Sequence, residues 1–336
     1  MRAESAPSRS LWGKLLAASI FLILSFSVSL VMGAKSTTLH DAWLALVSSA
    51  SGDDITLIRE IRLPRIAAGI LVGAALAVAG AIMQGLTRNP LADPGLLGVT
   101  SGGNAALACA LAFFPALNYF GIMVACFLGA AAGALLVFGL GSASRSGLSS
   151  MQLVLAGAAV TALLTAIAEG VALYFKISKD VSMWTAAGLV GTNWGQVRSL
   201  APFVIAGILI SLCYARQLTL LSLNETAATG LGLKTGQVKA VLYTLVVILA
   251  GASVALAGNM VFLGLMVPHI IRSFAGTDYR SILPLSVLGG AAFMLLADTM
   301  GRMVHAPFET PVAAIIAMLG FPFFLIIVRK GAKFLS

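Results

Sequence analysis

The amino-acid sequence predicts an all-α polytopic membrane protein with about ten transmembrane helices and an inverted internal repeat. The first observation is composition: 59% of the 336 residues are hydrophobic and 10% are charged, whereas soluble domains carry roughly 25% charged residues. The second is the number of apolar segments long enough to cross a bilayer, and the third is a glycine-rich stretch that occurs twice. The 35 glycines agree with this class, because small residues let membrane helices approach closely.

Ten segments come close to the roughly 20 apolar residues that a helix needs to cross the hydrocarbon core. They are residues 14–33, 64–86, 95–114, 117–140, 149–173, 199–215, 236–257, 260–274, 281–301 and 310–329. Prolines and glycines interrupt the third and eighth. The first run, Leu15–Ala34, is longer than the about 7–15 residues of a signal-peptide core, so we expect it to be retained. Residues 1–336 are therefore predicted to form a single transmembrane domain.

The lysines and arginines indicate how this domain is oriented. An even number of spans places both termini on one side of the membrane, and positive residues favour the cytoplasmic side. With a cytoplasmic N-terminus, the inner set is Arg2, Arg9, Lys14, Arg88, Arg145, Arg216, Lys234, Lys239, Arg272, Arg280, Arg329, Lys330 and Lys333. The smaller outer set is Lys35, Arg59, Arg62, Arg65, Lys176, Lys179, Arg198 and Arg302. The sequence thus predicts that both termini are cytoplasmic, and its dispersed positive charge does not suggest nucleic-acid binding.

An internal repeat becomes visible when the two halves are compared. Gly73–Gly80 reads GAALAVAG, and Gly251–Gly258 reads GASVALAG. A proline, Pro90 or Pro268, follows each closing glycine by the same interval. Because the copies start at the second and seventh spans, they would cross the membrane in opposite directions. Inverted repeats of this kind are typical of transporters.

The repeat predicts two halves, at about residues 62–175 and 236–330, which contain spans 2–5 and 7–10. Gly102-Gly103-Asn104-Ala105 has a further counterpart in Gly289-Gly290-Ala291-Ala292, after about nine additional residues. Coincidence in a chain rich in alanine and glycine is the alternative explanation.

Several arginines are expected at the outer surface, against the positive-inside rule. Arg59, Arg62 and Arg65 cluster at the start of the second span, and Arg302 lies at the outer end of the ninth. Two explanations remain open: the side chains extend toward lipid headgroups, or they form a docking surface for an acidic partner. Asp298 precedes Arg302 by one helical turn, a spacing that suits an ion pair.

A second polar segment, residues 219–234, connects the sixth and seventh spans on the predicted cytoplasmic side. Ser222 and Glu225 have the spacing of a capping box, and Gly230 is a natural C-cap for a short helix. Such a helix would suit insertion into a groove of a partner protein. An ordinary connecting loop is the alternative.

The sequence offers little material for catalysis or metal binding. The acidic residues near spans, Glu169, Asp298 and Glu309, do not form the midplane carboxylate relay expected of a proton-driven carrier. The histidines have no metal-ligand spacing, the three cysteines form no CxxC pair, and residues 230–236 lack the spacing of a phosphate loop. We therefore expect no catalytic residue, no metal and no cofactor on this chain.

Several stretches resemble one transporter family, the permease subunits of ABC importers for iron-siderophores, haem and cobalamin. These stretches cover nearly the whole chain: RLPR at Arg62–Arg65, GAALAVAGAIMQGLTRNPLADPGLLG at Gly73–Gly98, NETAATGLGL at Asn224–Leu233, FLGLMVPHIIR at Phe262–Arg272, LLADTMGR at Leu295–Arg302, and PFETPVAAIIAMLGFPFFLIIVRK at Pro307–Lys330.

The resemblance implies a subunit of the type II, cobalamin-permease-like importers that works in the cell membrane as a pair with itself or a paralogue. Two cytoplasmic ATPase subunits would bind ATP and Mg²⁺, and an external binding protein would deliver the substrate. Arg62, Arg65 and Arg302 match the family's docking arginines. The ATPase-coupling positions are Asn224, Glu225, Ala227, Ala228, Gly230 and Gly232. The translocation path would run along the interface of the pair, and Met83, Gln84 and Asn104 are expected to line it.

The resemblance favours an iron(III)-siderophore as the cargo, on the strength of Gly276–Arg280 and Pro307–Pro311. Haem and cobalamin are alternatives within the same family. An ion-coupled secondary carrier is an alternative of another class, and it would transport without an ATPase.

Overall fold

The computed structural model describes residues 8–33, 35, 37–48, 50–142 and 150–332, and within these ranges it contains helices but no strand. The helices are α1 (Ser8–Val31), α2 (Leu39–Val47), α3 (Asp53–Leu57), α4 (Leu63–Thr87), α5 (Val99–Phe113), α6 (Tyr119–Ser142), α7 (Ser150–Tyr174), α8 (Ser178–Ala187), α9 (Trp194–Cys213), α10 (Ala215–Leu223), α11 (Glu225–Gly230), α12 (Thr235–Ala257), α13 (Leu263–Ala275), α14 (Tyr279–Met303) and α15 (Val312–Ala332). A π-helical turn, Ile58–Arg62, leads into α4, and a 3-10 turn, Pro94–Leu97, precedes α5. Arg2, Arg145 and Lys333, used in the orientation argument, lie outside the described residues.

The predicted spans all appear as apolar helices. Seven helices of the described chain are long and apolar enough to cross a membrane, and three shorter apolar helices accompany them, Val99–Phe113, Leu263–Ala275 and Val312–Ile327. The first two are the interrupted third and eighth spans. With 15 and 13 residues, they reach about 20 Å at 1.5 Å per residue, which is less than the roughly 30 Å hydrocarbon core. The all-α membrane fold is confirmed, whereas the cytoplasmic position of the termini stays a prediction.

Helix α4 forms the centre of the fold. Every residue from Val72 to Thr87 is buried, and α4 packs against α9, α12, α13 and α14. A Cβ atom at Gly73 would overlap the carbonyl oxygen of Gly290 in α14, and one at Gly80 would overlap that of Gly264 in α13. Glycine is required at both positions because backbone packs directly on backbone.

The individual matches of the proposed repeat do not occupy equivalent places. Gly80 lies inside α4, whereas Gly258 follows the end of α12 with a φ of 69°. Pro90 lies in a turn, but Pro268 lies inside α13. The expected equivalence of these positions is therefore wrong. Gly80 packs against Gly264 and Gly258 packs against Thr185, so that each glycine meets a separate local packing requirement.

The second pair of matching glycines fails for the same reason. Gly102 lies in α5, the second helix of its half, and packs on Gly129 of α6, whereas its counterpart Gly289 lies in α14, the third helix of the other half, and packs on Ile271 of α13. What the halves do share is the succession of a long helix, a short one and two long ones, α4–α7 and α12–α15. An inverted relation between residues 62–175 and 236–330 stays a prediction.

Candidate functional site

The outer end of the molecule, as the orientation prediction defines it, contains a network of buried arginines. Arg62 lies in the π-helical turn and donates hydrogen bonds to the carbonyl oxygens of Leu30, at 2.7 Å, and Val31, at 3.0 Å. It also donates to the hydroxyl of Thr37, at 2.8 Å, and to the carbonyl of Lys35. The guanidinium thus joins the start of α4 to the end of α1, where helical carbonyls lack partners within the helix.

Asp298 of α14 lies between two further arginines. Its carboxylate is 2.9 Å from Nη2 of Arg65 and 3.1 Å from Nε of Arg302. Arg65 also pairs with Glu309, with 2.9 Å between Nη1 and Oε2. Arg302 donates to the hydroxyl of Ser29 in α1 at 2.7 Å. The predicted ion pair between Asp298 and Arg302 is therefore confirmed, and it belongs to a network that joins α1, α4 and α14.

The expectation that Arg62, Arg65 and Arg302 are exposed is wrong. Their residues are 5%, 8% and 4% exposed, and Asp298 is 1% exposed. The buried charges pair with carboxylates or donate hydrogen bonds to carbonyl and hydroxyl groups of the same chain, as burial of a charge requires. The sequence could not reveal this, because Arg65 and Asp298 are 233 positions apart. Direct docking by these arginines stays a prediction.

Arg59 also binds inside the chain. It donates to the carbonyl oxygens of Ala45, at 2.9 Å, and Ala50, at 2.9 Å, and it contacts the carbonyls of Leu44 and Ser48. These are the carbonyls at and after the end of α2. Arg59 therefore holds the loop between α2 and α3 in place.

The predicted coupling segment at the opposite, inner end forms two short helices, α10 and α11. Asn224 begins α11, since its side-chain oxygen accepts from the backbone N–H of Thr226 at 2.8 Å and of Ala227 at 3.4 Å. The predicted capping box of Ser222 and Glu225 is wrong, because the hydroxyl of Ser222 instead donates to the carbonyl of Thr219 at 2.8 Å. Asn224 competes successfully for the cap, as it lies directly before the helix.

The glycine that caps the C-terminus of α11 lies two residues after the predicted one. Gly230 is the last helical residue, and Gly232 is the residue in the left-handed region, with a φ of 82°. The N–H of Leu233 donates to the carbonyl of Ala228 at 3.1 Å, and that of Gly232 donates to Thr229 at 2.9 Å. This is the Schellman arrangement, and it requires the left-handed residue after the C-cap, which is Gly232 and not Gly230.

The surface of α11 is open to a partner. Ala227, Gly230 and Gly232 are exposed, and Leu223 and Leu231, which flank the helix, are 67% and 72% exposed. The inward side is fixed by the burial of Ala228 and by an ion pair between Glu225 and Lys239 of α12. The segment thus has one face attached to the membrane domain and another, partly apolar face exposed.

A polar cluster links this segment to the membrane helices, and sequence reasoning missed it. The hydroxyl of Thr219 in α10 lies 3.0 Å from a carboxylate oxygen of Asp278 and accepts from the N–H of Tyr279 at 3.0 Å. Arg272 of α13 donates to the hydroxyl of Tyr279 at 2.9 Å and to Gln84 of α4 at 3.2 Å. No spacing could indicate the cluster, because its members come from four distant helices.

The expected path residues differ in their surroundings. Met83 and Gln84 are buried inside the chain, and Gln84 donates to the carbonyl of Leu265 at 3.1 Å. The expectation that they line a path on the surface of this chain is therefore wrong, since α4 is the central helix. Asn104 of α5 is half-buried, and its role stays a prediction. Among the described residues, no group of three or more potential metal ligands occurs.

The chain is similar to several iron-chelate permeases over nearly its whole length. The iron(3+)-hydroxamate import system permease protein FhuB of Bacillus subtilis (strain 168) is 44% identical over 320 residues, which cover 95% of this chain and 83% of that protein. The hemin transport system permease protein HmuU of Yersinia pestis is 39% identical over 321 residues, 93% of each chain.

The fold has a counterpart among solved structures. An inward-facing conformation of a metal-chelate type ABC transporter superposes with a TM-score of 0.83 and 28% sequence identity, covering 94% of this chain and 98% of that one. The FecCD transport family matches residues 21–330, a range that contains the outer arginines, the polar cluster and α11. The chain therefore belongs to the FecCD transport family.

Proposed function

We propose that this chain is the permease subunit of an ATP-driven ABC importer that moves an iron(III)-siderophore across the cell membrane. The observation that carries the proposal is the family match over residues 21–330, which includes nine of the ten apolar helices and the second half of the first. The 44% identity to an iron(3+)-hydroxamate permease supports the ferric siderophore as cargo. The chain lies in the inner or plasma membrane with both termini in the cytoplasm.

The partners follow from the same proposal. Two cytoplasmic ATPase subunits carry ATP and Mg²⁺, so that this chain does not itself hydrolyse ATP. A second permease copy or a paralogue completes the path, and an external binding protein supplies the chelate. The exposed face of α11, with Ala227 and Leu231, supports contact with an ATPase.

The inner contacts supply a mechanical route from α11 to the membrane helices. Movement of α11 reaches α12 through Glu225 and Lys239, and movement of α10 reaches α14 through Thr219 and Asp278. ATP binding can shift the permease between inward-open and outward-open states only if the ATPase contacts α11 differently in the two states. In this proposal, α10 and α11 transmit the movement of the ATPase subunits to the membrane helices.

Docking of the binding protein involves the outer end of the domain. Arg65 is the arginine best placed to participate, because one of its partners, Glu309, has a side chain that is 31% exposed. A carboxylate of the binding protein could replace Glu309 there. Arg62 and Arg302 would instead support the surface from within, through Thr37 and Ser29.

The decisive experiment is uptake of labelled substrates by cells that lack the gene and then regain it together with its partner subunits. We expect the regained gene to restore uptake of ferric hydroxamates, with ferric catecholates, haem and cobalamin as comparison substrates. A carrier that uses ATP should keep its activity when an ionophore dissipates the ion gradients and lose it when the ATPase is inactivated. Uptake that depends on the gradient and not on the ATPase would overturn the assignment.

Haem import is the second candidate, favoured by the 39% identity to a hemin permease. The same experiment separates the two. Restoration of haem uptake without ferric-siderophore uptake would establish haem as the cargo and reject the siderophore.

A further inference from the structure

A long groove runs between α6 and α12 on the surface of the chain. Its volume is about 590 Å³, within the range of small-molecule sites. The α6 wall includes Phe127, Ala131 and Phe138, and the α12 wall includes Ala240, Tyr243 and Val247. Alanines on both walls make room between aromatic side chains, so that the surface is concave where packed helices would ordinarily leave a shallow seam.

The groove is amphipathic along its length. Gly236 and Lys239 line the inner end, and Val247 and Ile248 line the other end. From Gly236 to Ile248, α12 rises about 18 Å at 1.5 Å per residue. This length is close to the roughly 15 Å of one leaflet, half of the hydrocarbon core. The groove therefore suits a ligand with one charged end and an apolar tail whose length is close to the thickness of one leaflet.

The inner end of the groove favours a negatively charged group. Lys239 lines the groove, and the exposed Lys234 directly precedes α12. Glu225 is the acidic residue that faces Lys239, and it neutralises one of these two charges in the structure. The pair is partly exposed, with side-chain exposures of 26% for Lys239 and 40% for Glu225, so that a second anion can reach the ammonium group.

We propose that this groove binds an anionic phospholipid of the inner leaflet. One acyl chain lies between α6 and α12, and the phosphate binds Lys239 and Lys234. Basic pockets between membrane helices on the cytoplasmic side bind anionic headgroups in this way. The phosphate and Glu225 compete for Lys239, so that lipid binding weakens the ion pair that joins α11 to α12. The site does not depend on which chelate the importer carries.

The test is native mass spectrometry of the purified full-length chain with phosphatidylglycerol and phosphatidylcholine of identical acyl chains. We expect phosphatidylglycerol to bind more tightly by about five-fold or more, the factor that corresponds to about 1 kcal/mol for one basic residue near an anionic surface. Lys239→Gln should reduce this preference, because only Lys234 then remains to bind the phosphate, whereas Lys179→Gln, at an exposed lysine of α8, should leave it unchanged. Glu225→Gln should raise the affinity for phosphatidylglycerol, because it frees Lys239.

A second variant tests the acyl-chain position. Ala240→Leu fills the groove and should weaken binding of both lipids, whereas Ala206→Leu, at an exposed alanine of α9 outside the groove, should not. Equal binding of the two lipids to the unchanged protein, or an unchanged preference in Lys239→Gln, would overturn the proposal. So would an Ala240→Leu variant that disrupts association of two permease copies while its lipid binding stays the same, because a protein partner would then occupy the groove.

Discussion

The outer arginine network and the inner α10–α11 segment were both predicted to contact partner proteins, but they use their polar residues differently. At the outer end, Arg65 and Arg302 share Asp298 inside the protein, and the three residues are nearly inaccessible. At the inner end, Asn224 and Gly232 satisfy the backbone of α11 and leave one face of the helix exposed. The comparison shows that an excess of charge at a membrane boundary does not by itself identify a docking surface.

The physical reason lies in where each group finds its hydrogen-bonding partners. A guanidinium has five N–H donors and is stable in the interior only if carboxylates or carbonyls surround it. Arg62, Arg65 and Arg302 find such groups on α1, α14 and the segment after α14. The backbone groups at both ends of α11 are hydrogen-bonded within residues 224–233. The exposed face of the helix is therefore free to bind another protein.

The largest expected effect concerns Asp298. Replacement by Asn removes the charge that Arg65 and Arg302 share, and breaking a buried ion pair costs about 3–5 kcal/mol. We expect a pronounced fall in the unfolding temperature of the detergent-solubilised protein. Asp54→Asn is the matched control, since Asp54 pairs with Lys35 at an exposed site and should change little. Equal unfolding temperatures for the two variants would contradict the internal role of the outer network.

The next effect concerns the two glycines at the end of α11, which should respond in opposite directions. Gly232→Ala forces an alanine into the left-handed region, at a cost of about 1–2 kcal/mol, although a Cβ atom there would meet no neighbour. Gly230→Ala should stabilise the helix by up to about 1 kcal/mol, because Gly230 is helical and its Cβ position is also open. Hydrogen exchange of the amides from Ala227 to Leu233 measures both changes. Destabilisation by both substitutions would place the cap elsewhere.

The smallest expected effect tests which residue begins α11. Asn224→Ala should destabilise the helix by about 1 kcal/mol and accelerate hydrogen exchange at Thr226 and Ala227. Ser222→Ala should leave these two amides unchanged, since its hydroxyl bonds back into α10. If the serine variant instead accelerated exchange and the asparagine variant did not, the capping box expected from the sequence would be correct.

The sequence by itself determined the class of protein and the number of apolar helices. A low charge content and ten apolar segments of about 20 residues predict membrane-spanning helices, because each span must satisfy its backbone hydrogen bonds internally in lipid. The motifs at Gly73–Gly98 and Phe262–Arg272 also indicated the family to which the chain belongs. Local signals identified α11 as well, although its cap residues were misplaced, because several nearby residues could perform each capping role.

Only the tertiary structure decided which functional candidates are accessible. Arg65 and Asp298, Gln84 and Arg272, and Thr219 and Asp278 meet across large sequence separations, and no local pattern encodes such contacts. The same holds for the glycines, since Gly73 and Gly102 look alike in sequence but pack against different helices. Burial depends on how the helices are arranged around α4. In that arrangement Arg62, Arg65 and Arg302 lie in the interior and stabilise the contacts between helices.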